Sequence, residues 1–141
     1  MQVVVTYESR TGNTRTAAQL VAGGLKDAGA EVTIGPVDTP DFKALADADL
    51  VVVGTWTDGA FFLGQRPGGA GNIARSLPDL WDKRVYSFVT YALNPGRSHE
   101  KLADLLEAKG ARSLGASAFH RNRLQDDAST FVDGIIDYYG N

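Results

Sequence analysis

A glycine flanked by hydroxyl and amide side chains lies just after the first apolar run of the chain. The segment consists of Ser9, Arg10, Thr11, Gly12, Asn13 and Thr14; a valine run precedes it and residues of helical period follow it. Because the first amides of a helix lack intrahelical acceptors, the N–H groups of Gly12, Asn13 and Thr14 are predicted to be free donors. The hydroxyls of Ser9, Thr11 and Thr14 can add to them. Such a cluster of neutral donors at a helix start suits one phosphate monoester.

The absence of lysine narrows the type of phosphate ligand. No Gly-x-x-x-x-Gly-Lys-Ser/Thr sequence occurs in the chain, so the lysine that contacts the outer phosphates of a nucleoside triphosphate is missing. A purely local interpretation also stays open, because serine, threonine and asparagine are favoured at helix starts as caps of backbone N–H groups. The segment alone is compatible with a phosphate site and with a capped helix.

The elements that must position this segment alternate between short valine-rich runs and stretches of helical period, which is typical of a parallel sheet built from βαβ units. Five strands are predicted, at Val3–Tyr7, Glu31–Gly35, Leu50–Gly54, Val85–Tyr91 and Arg112–Phe119. The first, third and fourth are almost wholly apolar, so helices should cover both faces of the sheet. Helices are predicted after the first turn, around Phe42–Ala46, after the glycines near Gly71, and at Ser98–Lys109 and Asp126–Tyr139. The fold class is therefore α/β, with a doubly wound, five-stranded parallel sheet.

Residues with polar or flat side chains follow two further strands. The third strand leads into Thr55, Trp56, Thr57, Asp58 and Gly59, and the fourth ends at Tyr91 and leads into Ala92, Leu93, Asn94 and Gly96. Since ligands of an open parallel sheet gather beyond the carboxyl ends of its strands, these loops and the first turn are expected at one edge. Trp56 is expected in a turn and facing a ligand, with core packing as the alternative. Tyr91 could equally contact a ligand or cap the core.

Length, charge and cysteine content exclude several classes of function. The 141 residues suit one domain, which we expect to cover residues 1–141. The 17 acidic and 14 basic residues, with a formal net charge of -3, are scattered along the sequence, so no nucleic-acid partner is expected. The chain has no cysteine, which excludes disulfides and thiolate metal sites, and no metal is expected. Without a leader-like or membrane-spanning apolar run, we expect a cytoplasmic protein with no membrane span.

The first turn carries a resemblance to a known family. The run Ser9–Thr14 after a valine strand resembles the Ser/Thr-x-Thr-Gly-Asn-Thr phosphate loop of the flavodoxin family. The likeness extends to the order and spacing of the later strands, and it implies a strand order of 2-1-3-4-5 and FMN as the cofactor. It further implies that Trp56 and Tyr91 flank the isoalloxazine and that amides of residues 92–96 face its pyrimidine edge. The Asp58-Gly59 peptide is the one expected to accept a hydrogen bond from N5 of the reduced flavin.

The function that this resemblance implies is electron transfer between a flavin reductase and an acceptor protein, with the chain as a monomer. Two alternatives stay open: a flavodoxin-like oxidoreductase acting on a small quinone or porphyrinogen, and a binding module without redox work. Carriers of this family commonly have acidic residues in the loop after the fourth strand, where this chain has none; Arg97 and His99 follow instead, and Arg66 stands in the loop after the third strand. The low acidity and the loop length favour the oxidoreductase modestly. The pair Phe61-Phe62 could cover the flavin, meet a partner or tuck under its own loop.

Three other interpretations fail on specific residues. A receiver domain needs an aspartate at the end of the third strand, which here reads Val53-Gly54-Thr55. A hydrolase nucleophile elbow would read Gly-x-Ser-x-Gly, and this pattern is absent. The pattern Gly69-x-Gly71-x-x-Ala74 resembles a dinucleotide fingerprint, but no strand precedes it, so we interpret it as the flexible start of the third helix.

Overall fold

The computed structural model describes residues 1–59 and 64–140 of the chain. The strands are β1 (Gln2–Tyr7), β2 (Glu31–Pro36), β3 (Leu50–Asp58), β4 (Arg66–Pro67), β5 (Arg84–Tyr91) and β6 (Arg112–His120). The helices are α1 (Asn13–Asp27), α2 (Phe42–Asp47), α3 (Ala70–Ser76), α4 (Ser98–Ala108) and α5 (Leu124–Gly140). Phe61 and Phe62, for which three roles were considered, lie outside the described residues.

The long strands form one parallel sheet in the order β2-β1-β3-β5-β6. This confirms the predicted order, since the short β4 only shifts the numbering of the last two strands. The register pairs Val3 with Leu50, Val51 with Val85 and Tyr91 with His120, so β1, β3, β5 and β6 run side by side toward one edge. The turn after β1 and the loops after β3 and β5 therefore leave the sheet at the same edge.

Alternation along the buried strands divides the core between the two faces of the sheet. On one face Val3, Val5, Val52 and Phe88 pack against α1 and α5. On the other face Val4, Val51, Val53, Val85 and Val89 pack against residues of α2, α3 and α4. The prediction that helices cover both faces is confirmed, and the outer strands β2 and β6 are less buried, as expected. Within the described residues, no helix is both long and apolar enough to cross a lipid bilayer.

The third strand is longer than predicted, and this corrects the placement of four site residues. Thr55, Trp56, Thr57 and Asp58 were expected in a loop, with Trp56 in a turn, but all four belong to β3. The extension has partners on both sides: Thr55 and Trp56 continue the pairing with β5, and Thr57 and Asp58 pair antiparallel with β4. The prediction failed because the partners of Thr57 and Asp58 in β4 belong to a glycine-rich segment, and this segment has no strand pattern in the sequence.

Gly54 in the middle of β3 permits a close approach of an aromatic ring. A methyl group at Gly54 would overlap the ring of Phe88, which is fully buried and stacks on Phe119 with the ring centroids 4.6 Å apart. The backbone carbonyl of Gly54 also accepts a hydrogen bond from the N–H of Glu8 at 2.9 Å, which ties the turn after β1 to β3. Gly54 therefore links core packing to the position of that turn.

We predict that Gly54→Ala lowers the free energy of unfolding by about 1–3 kcal/mol, because the added methyl group overpacks a core that has no space for it. Urea denaturation followed by far-ultraviolet circular dichroism measures the change. Gly35→Ala in β2 is the matched control, because a methyl group there meets no atom within 4 Å. Equal stabilities of the two variants would contradict this account of the Phe88 contact.

Candidate functional site

The turn between β1 and α1 is built around a glycine in the left-handed region. Gly12 has φ +97°, which L side chains rarely adopt, and α1 begins at the next residue. The first helical hydrogen bond runs from the N–H of Thr16 to the carbonyl of Gly12 at 2.9 Å. The backbone thus changes direction at Gly12, and the N-terminal end of a 15-residue helix lies at the carboxyl edge of the sheet.

Two backbone donors at the start of α1 are free. The hydroxyl of Ser9 accepts from the N–H groups of Gly12 at 3.2 Å and Arg15 at 3.4 Å. The N–H of Gly12, which was expected to be free, is therefore capped locally. The N–H groups of Asn13 and Thr14 have no acceptor within the described part of the chain. Because these donors lie at the positive end of α1, they suit a phosphate group. Capping by a side chain therefore accounts for the N–H groups of Gly12 and Arg15. The N–H groups of Asn13 and Thr14 remain as candidates for a phosphate site.

The hydroxyl of Thr14 was expected to point into this turn, but it points toward the sheet instead. It lies 3.0 Å from the hydroxyl of Thr90 on β5, and both residues are buried. This bond ties the start of α1 to the centre of the sheet. Thr14 can therefore contribute to a phosphate site through its backbone N–H, while Arg10 and Thr11 are exposed around it.

A surface cavity of about 310 Å³ lies beside the turn at Gly12. Ser9, Gly12 and Arg15 line it together with Glu8 and Asp38. The side-chain amide of Asn72, which the sequence did not single out, donates to the carboxylates of Glu8 and Asp38, both at 2.5 Å. Asn72 is 64 residues from Glu8, and no local pattern connects them. This bridge joins α3 to the ends of β1 and β2 at the rim of the cavity.

Trp56 is half-buried, and part of its ring packs against the backbone of its own chain. A side chain at Gly68 would overlap the indole, and Gly69 also lies close to it. The N–H of Gly68 donates to the carbonyl of Trp56 at 2.7 Å, and the hydroxyl of Thr55 donates to the carbonyl of Gly68 at 2.6 Å. The indole Nε1 is buried and has no hydrogen-bond partner in the described residues. The packing alternative considered for Trp56 thus holds for the part of the ring that faces Gly68.

Tyr91 stands at the same edge as Trp56 but on the other face of the sheet. Trp56 pairs with Thr90 in the register, and alternation directs the neighbouring Tyr91 to the opposite side. The ring of Tyr91 meets His120 edge to face, with centroids 5.2 Å apart. The two aromatic residues are therefore not in one pocket, and a planar ligand between them would lie across the edge of the sheet.

Hydrogen bonds connect the end of β3 and the segment after it with the start of α4, which follows the loop after β5. The hydroxyl of Ser98 donates to the carbonyl of Pro95 at 2.7 Å, so Thr57 is the donor in its 2.9 Å contact with Ser98. The ammonium of Lys101 donates to the carbonyl of Gln65 at 2.7 Å. The side chain of Gln65 fills the space beside Gly96, where a methyl group would collide with it. The two loops thus form one connected surface.

The loop after β5 carries the most exposed apolar side chain of the site. Leu93 is 95% exposed, Ala92 is half-buried, and Asn94 accepts from the N–H of Gly96 at 2.9 Å to close a tight turn. Just beyond it, Arg97 and Glu100 form an ion pair at 2.7 Å. The Arg97 guanidinium donates to this carboxylate and holds the pKa of Glu100 below its ordinary value.

Gly59 has a backbone conformation that other residues rarely adopt. Its φ is +122°, its N–H bonds to the carboxylate of Asp58 at 2.9 Å, and a methyl group would collide with the carbonyl of Gly64. Gly59 and Gly64 therefore approach each other at the base of the second loop. The contact expected between the Asp58-Gly59 peptide and a reduced flavin stays a prediction.

Comparisons with known proteins agree with this geometry. The family described as "Flavodoxin domain" matches residues 4–115. Among solved structures, a point mutant of a flavodoxin from Pseudomonas aeruginosa is 20% identical, with a TM-score of 0.73 and 97% of each chain covered. Oxidised flavodoxin 2 from Bacillus cereus is also 20% identical, with a TM-score of 0.70 over 98% of this chain and 99% of that one. No sequence among curated proteins matches significantly.

The same fold also occurs as part of a larger chain. Rubredoxin oxygen:oxidoreductase from Desulfovibrio gigas is 19% identical, with a TM-score of 0.64. The match covers 99% of the present chain but 37% of that protein. At these levels of identity the structural comparisons establish the fold.

We predict that Thr14→Val and Thr90→Val each lower the free energy of unfolding by about 1–3 kcal/mol, because each leaves one buried hydroxyl without its partner. The double variant should cost less than the sum of the two, since it removes both hydroxyls and keeps their shapes. Chemical denaturation of the four proteins gives the interaction energy. Additive losses would mean that the two hydroxyls do not stabilise each other.

Proposed function

The chain belongs to the flavodoxin family, whose profile matches residues 4–115, and on that premise we propose that it is an electron carrier that binds FMN between a reductase and an acceptor protein. FMN is the cofactor that membership of this family implies. The observation that carries the proposal is the turn at Gly12, where the N–H groups of Asn13 and Thr14 have no acceptor among the described residues. A single phosphate group satisfies both donors.

The residues of the three loops fit distinct parts of FMN. The turn from Ser9 to Thr14 would hold the phosphate, with the free amides and the helix dipole in place of a lysine. Residues 55–59 and residues 91–96 would hold the ring system at the edge of the sheet, with Trp56 and Tyr91 on its two sides. When bound, FMN supplies the one- and two-electron chemistry.

The loops of the chain would then control the environment of the ring. The pairing of β4 with β3 and the bonds from Thr57 and Lys101 hold two loops in fixed positions, which lowers the conformational cost of binding a planar ligand. Exposed Leu93 extends the apolar surface at the edge of the sheet. We further propose that the carrier acts as a monomer in the cytoplasm. A chain without cysteines does not depend on disulfides, which suits this reducing compartment.

A second candidate function is turnover of a small quinone or porphyrinogen at the same edge. The observation that favours it is the low acidity of the loops, which contain Arg66 and Arg97. The two functions can be separated by reducing the flavin-loaded protein and measuring how fast a small quinone and a redox protein each oxidise it. Faster oxidation by the quinone at equal concentration would favour the enzyme.

We predict that the purified protein binds FMN at least about tenfold more tightly than riboflavin, which corresponds to about 1.4 kcal/mol from the phosphate contacts. Quenching of flavin fluorescence during titration measures both affinities. Riboflavin has the same ring system and lacks only the phosphate, so it controls for ring binding. Equal affinities would overturn the assignment of the turn at Gly12 to the phosphate.

We predict that Trp56→Ala weakens FMN binding by about 1–3 kcal/mol, because it removes a large aromatic surface from the site. Trp56→Phe should keep most of the affinity, and it preserves packing against Gly68 better than alanine does. Trp81→Ala is the matched control, because Trp81 is 81% exposed and precedes β5 at the opposite edge of the sheet. Unchanged affinity in folded Trp56→Ala would exclude the indole as a wall of the site.

A further inference from the structure

The loops at the carboxyl edge of the sheet carry a charge opposite to that of the whole chain. The described residues of the loops after the five long strands (8–12, 37–41, 59, 64–69, 92–97 and 121–123) contain five arginines and three carboxylates, a charge of +2, whereas the formal net charge of the protein is -3. The arginines are Arg10, Arg66, Arg97, Arg121 and Arg123, and all five are exposed. We call these five residues the arginine rim. Of the three carboxylates, Glu8 and Asp38 accept hydrogen bonds from the side-chain amide of Asn72, and Asp41 caps the start of α2.

Most of this positive charge is not neutralised nearby. Arg97 is paired with Glu100, but Arg10, Arg66, Arg121 and Arg123 form no ion pair with any residue in the ranges 1–59 and 64–140. Two carboxylates at the same edge keep their negative charge but form no ion pair with these four arginines among the described residues. Asp58 accepts from the N–H of Gly59, and Asp127 accepts from the N–H of His120.

Contacts place Arg66 and Arg121 beside the loop after β5, which carries Leu93 and ends at Arg97. The N–H of Arg121 donates to the carbonyl of Tyr91 at 2.9 Å, which places the turn after β6 beside the loop that carries Leu93. On the other side, Gln65 packs against Gly96, so Arg66 follows a residue in contact with the same loop. A fully exposed leucine bordered by arginines combines an apolar contact with a charged periphery, as protein interfaces commonly do.

The geometry points to a docking surface for a redox protein whose own electron-transfer site lies behind an acidic face. This inference rests on the proposed function, because it assumes that the flavin lies at the edge that the arginine rim surrounds. Complementary charge raises the rate of encounter and orients the partner before contact. An overall acidic protein with a basic edge would present this edge to such a partner and repel it elsewhere. The -3 net charge argues against nucleic acid as the ligand of the rim.

The first test measures the sign of the electric field at the flavin edge. The FMN-loaded protein is reduced and mixed with ferricyanide or with hexaammineruthenium(III), at ionic strengths from about 0.01 M to 0.15 M, over which the Debye length falls from about 30 Å to about 8 Å. We expect the ferricyanide rate to fall by about tenfold with salt, at the low end of electrostatic steering, and the ruthenium rate to rise. The opposite pair of slopes would overturn the inference.

A matched pair of double variants separates the rim from net charge. Arg121→Glu with Arg123→Glu should abolish or reverse the salt dependence of the ferricyanide rate. Lys26→Glu with Arg75→Glu changes the net charge equally, but both residues are exposed in the last turns of α1 and α3, toward the opposite edge. Equal effects of the two double variants would show that net charge, and not the arginine rim, controls the rate.

The second test needs no flavin and therefore distinguishes failure of this inference from failure of FMN binding. Fluorescence anisotropy of a labelled hexaglutamate peptide measures its affinity for the flavin-free protein. We expect binding that weakens with salt, is lost in the Arg121→Glu and Arg123→Glu double variant, and is kept in the Lys26→Glu and Arg75→Glu control. Absence of binding to the unsubstituted protein, or tighter binding of a single-stranded DNA of equal charge, would contradict an acidic protein as the partner.

Discussion

The site depends on one constraint: parallel strands covered on both faces must all release the chain at the same edge of the sheet. The apolar residues of β1, β3 and β5 leave little choice of register, since a shift by one residue would turn buried valines toward the wrong layer. Once the register is fixed, the turn at Gly12 and the loops after β3 and β5 lie beside one another. The Thr14–Thr90 hydrogen bond then fixes the start of α1 against the centre of that sheet.

Close approaches of side chains to glycine backbone give this edge its detailed shape. Gly54 accommodates the ring of Phe88, Gly68 accommodates the indole of Trp56, and Gly69 lies against the side chain of Glu8. In each case a methyl group would overlap the neighbouring side chain. These contacts explain why a glycine-rich segment follows β3: the chain folds back over Trp56 and pairs with its own strand. Trp56 can therefore pack against its own chain and still lie at the edge where a ligand is expected.

The distribution of charge gives the edge a different character from the rest of the surface. Net charge is a property of the whole chain, but a partner that approaches a flavin meets the field of the nearest loops. Those loops are rich in arginine, and only Arg97 among the rim residues has a carboxylate partner in the described ranges. A flavodoxin of this type would select its partners by attraction at the edge and by repulsion over the remaining surface. This selection requires no change in the fold.

The sequence by itself determined the alternation of strands and helices, the two-sided burial of the central strands and the free N–H groups of Asn13 and Thr14. These features follow from local patterns and from the geometry of any helix start. Only the tertiary structure decided that β3 continues through Asp58, because its partner Arg66–Pro67 carries no strand pattern. It also decided that Thr90, 76 residues away, engages the hydroxyl of Thr14. The sequence supplied both hydroxyls but not their pairing, because a contact between distant residues depends on the register and twist of the whole sheet.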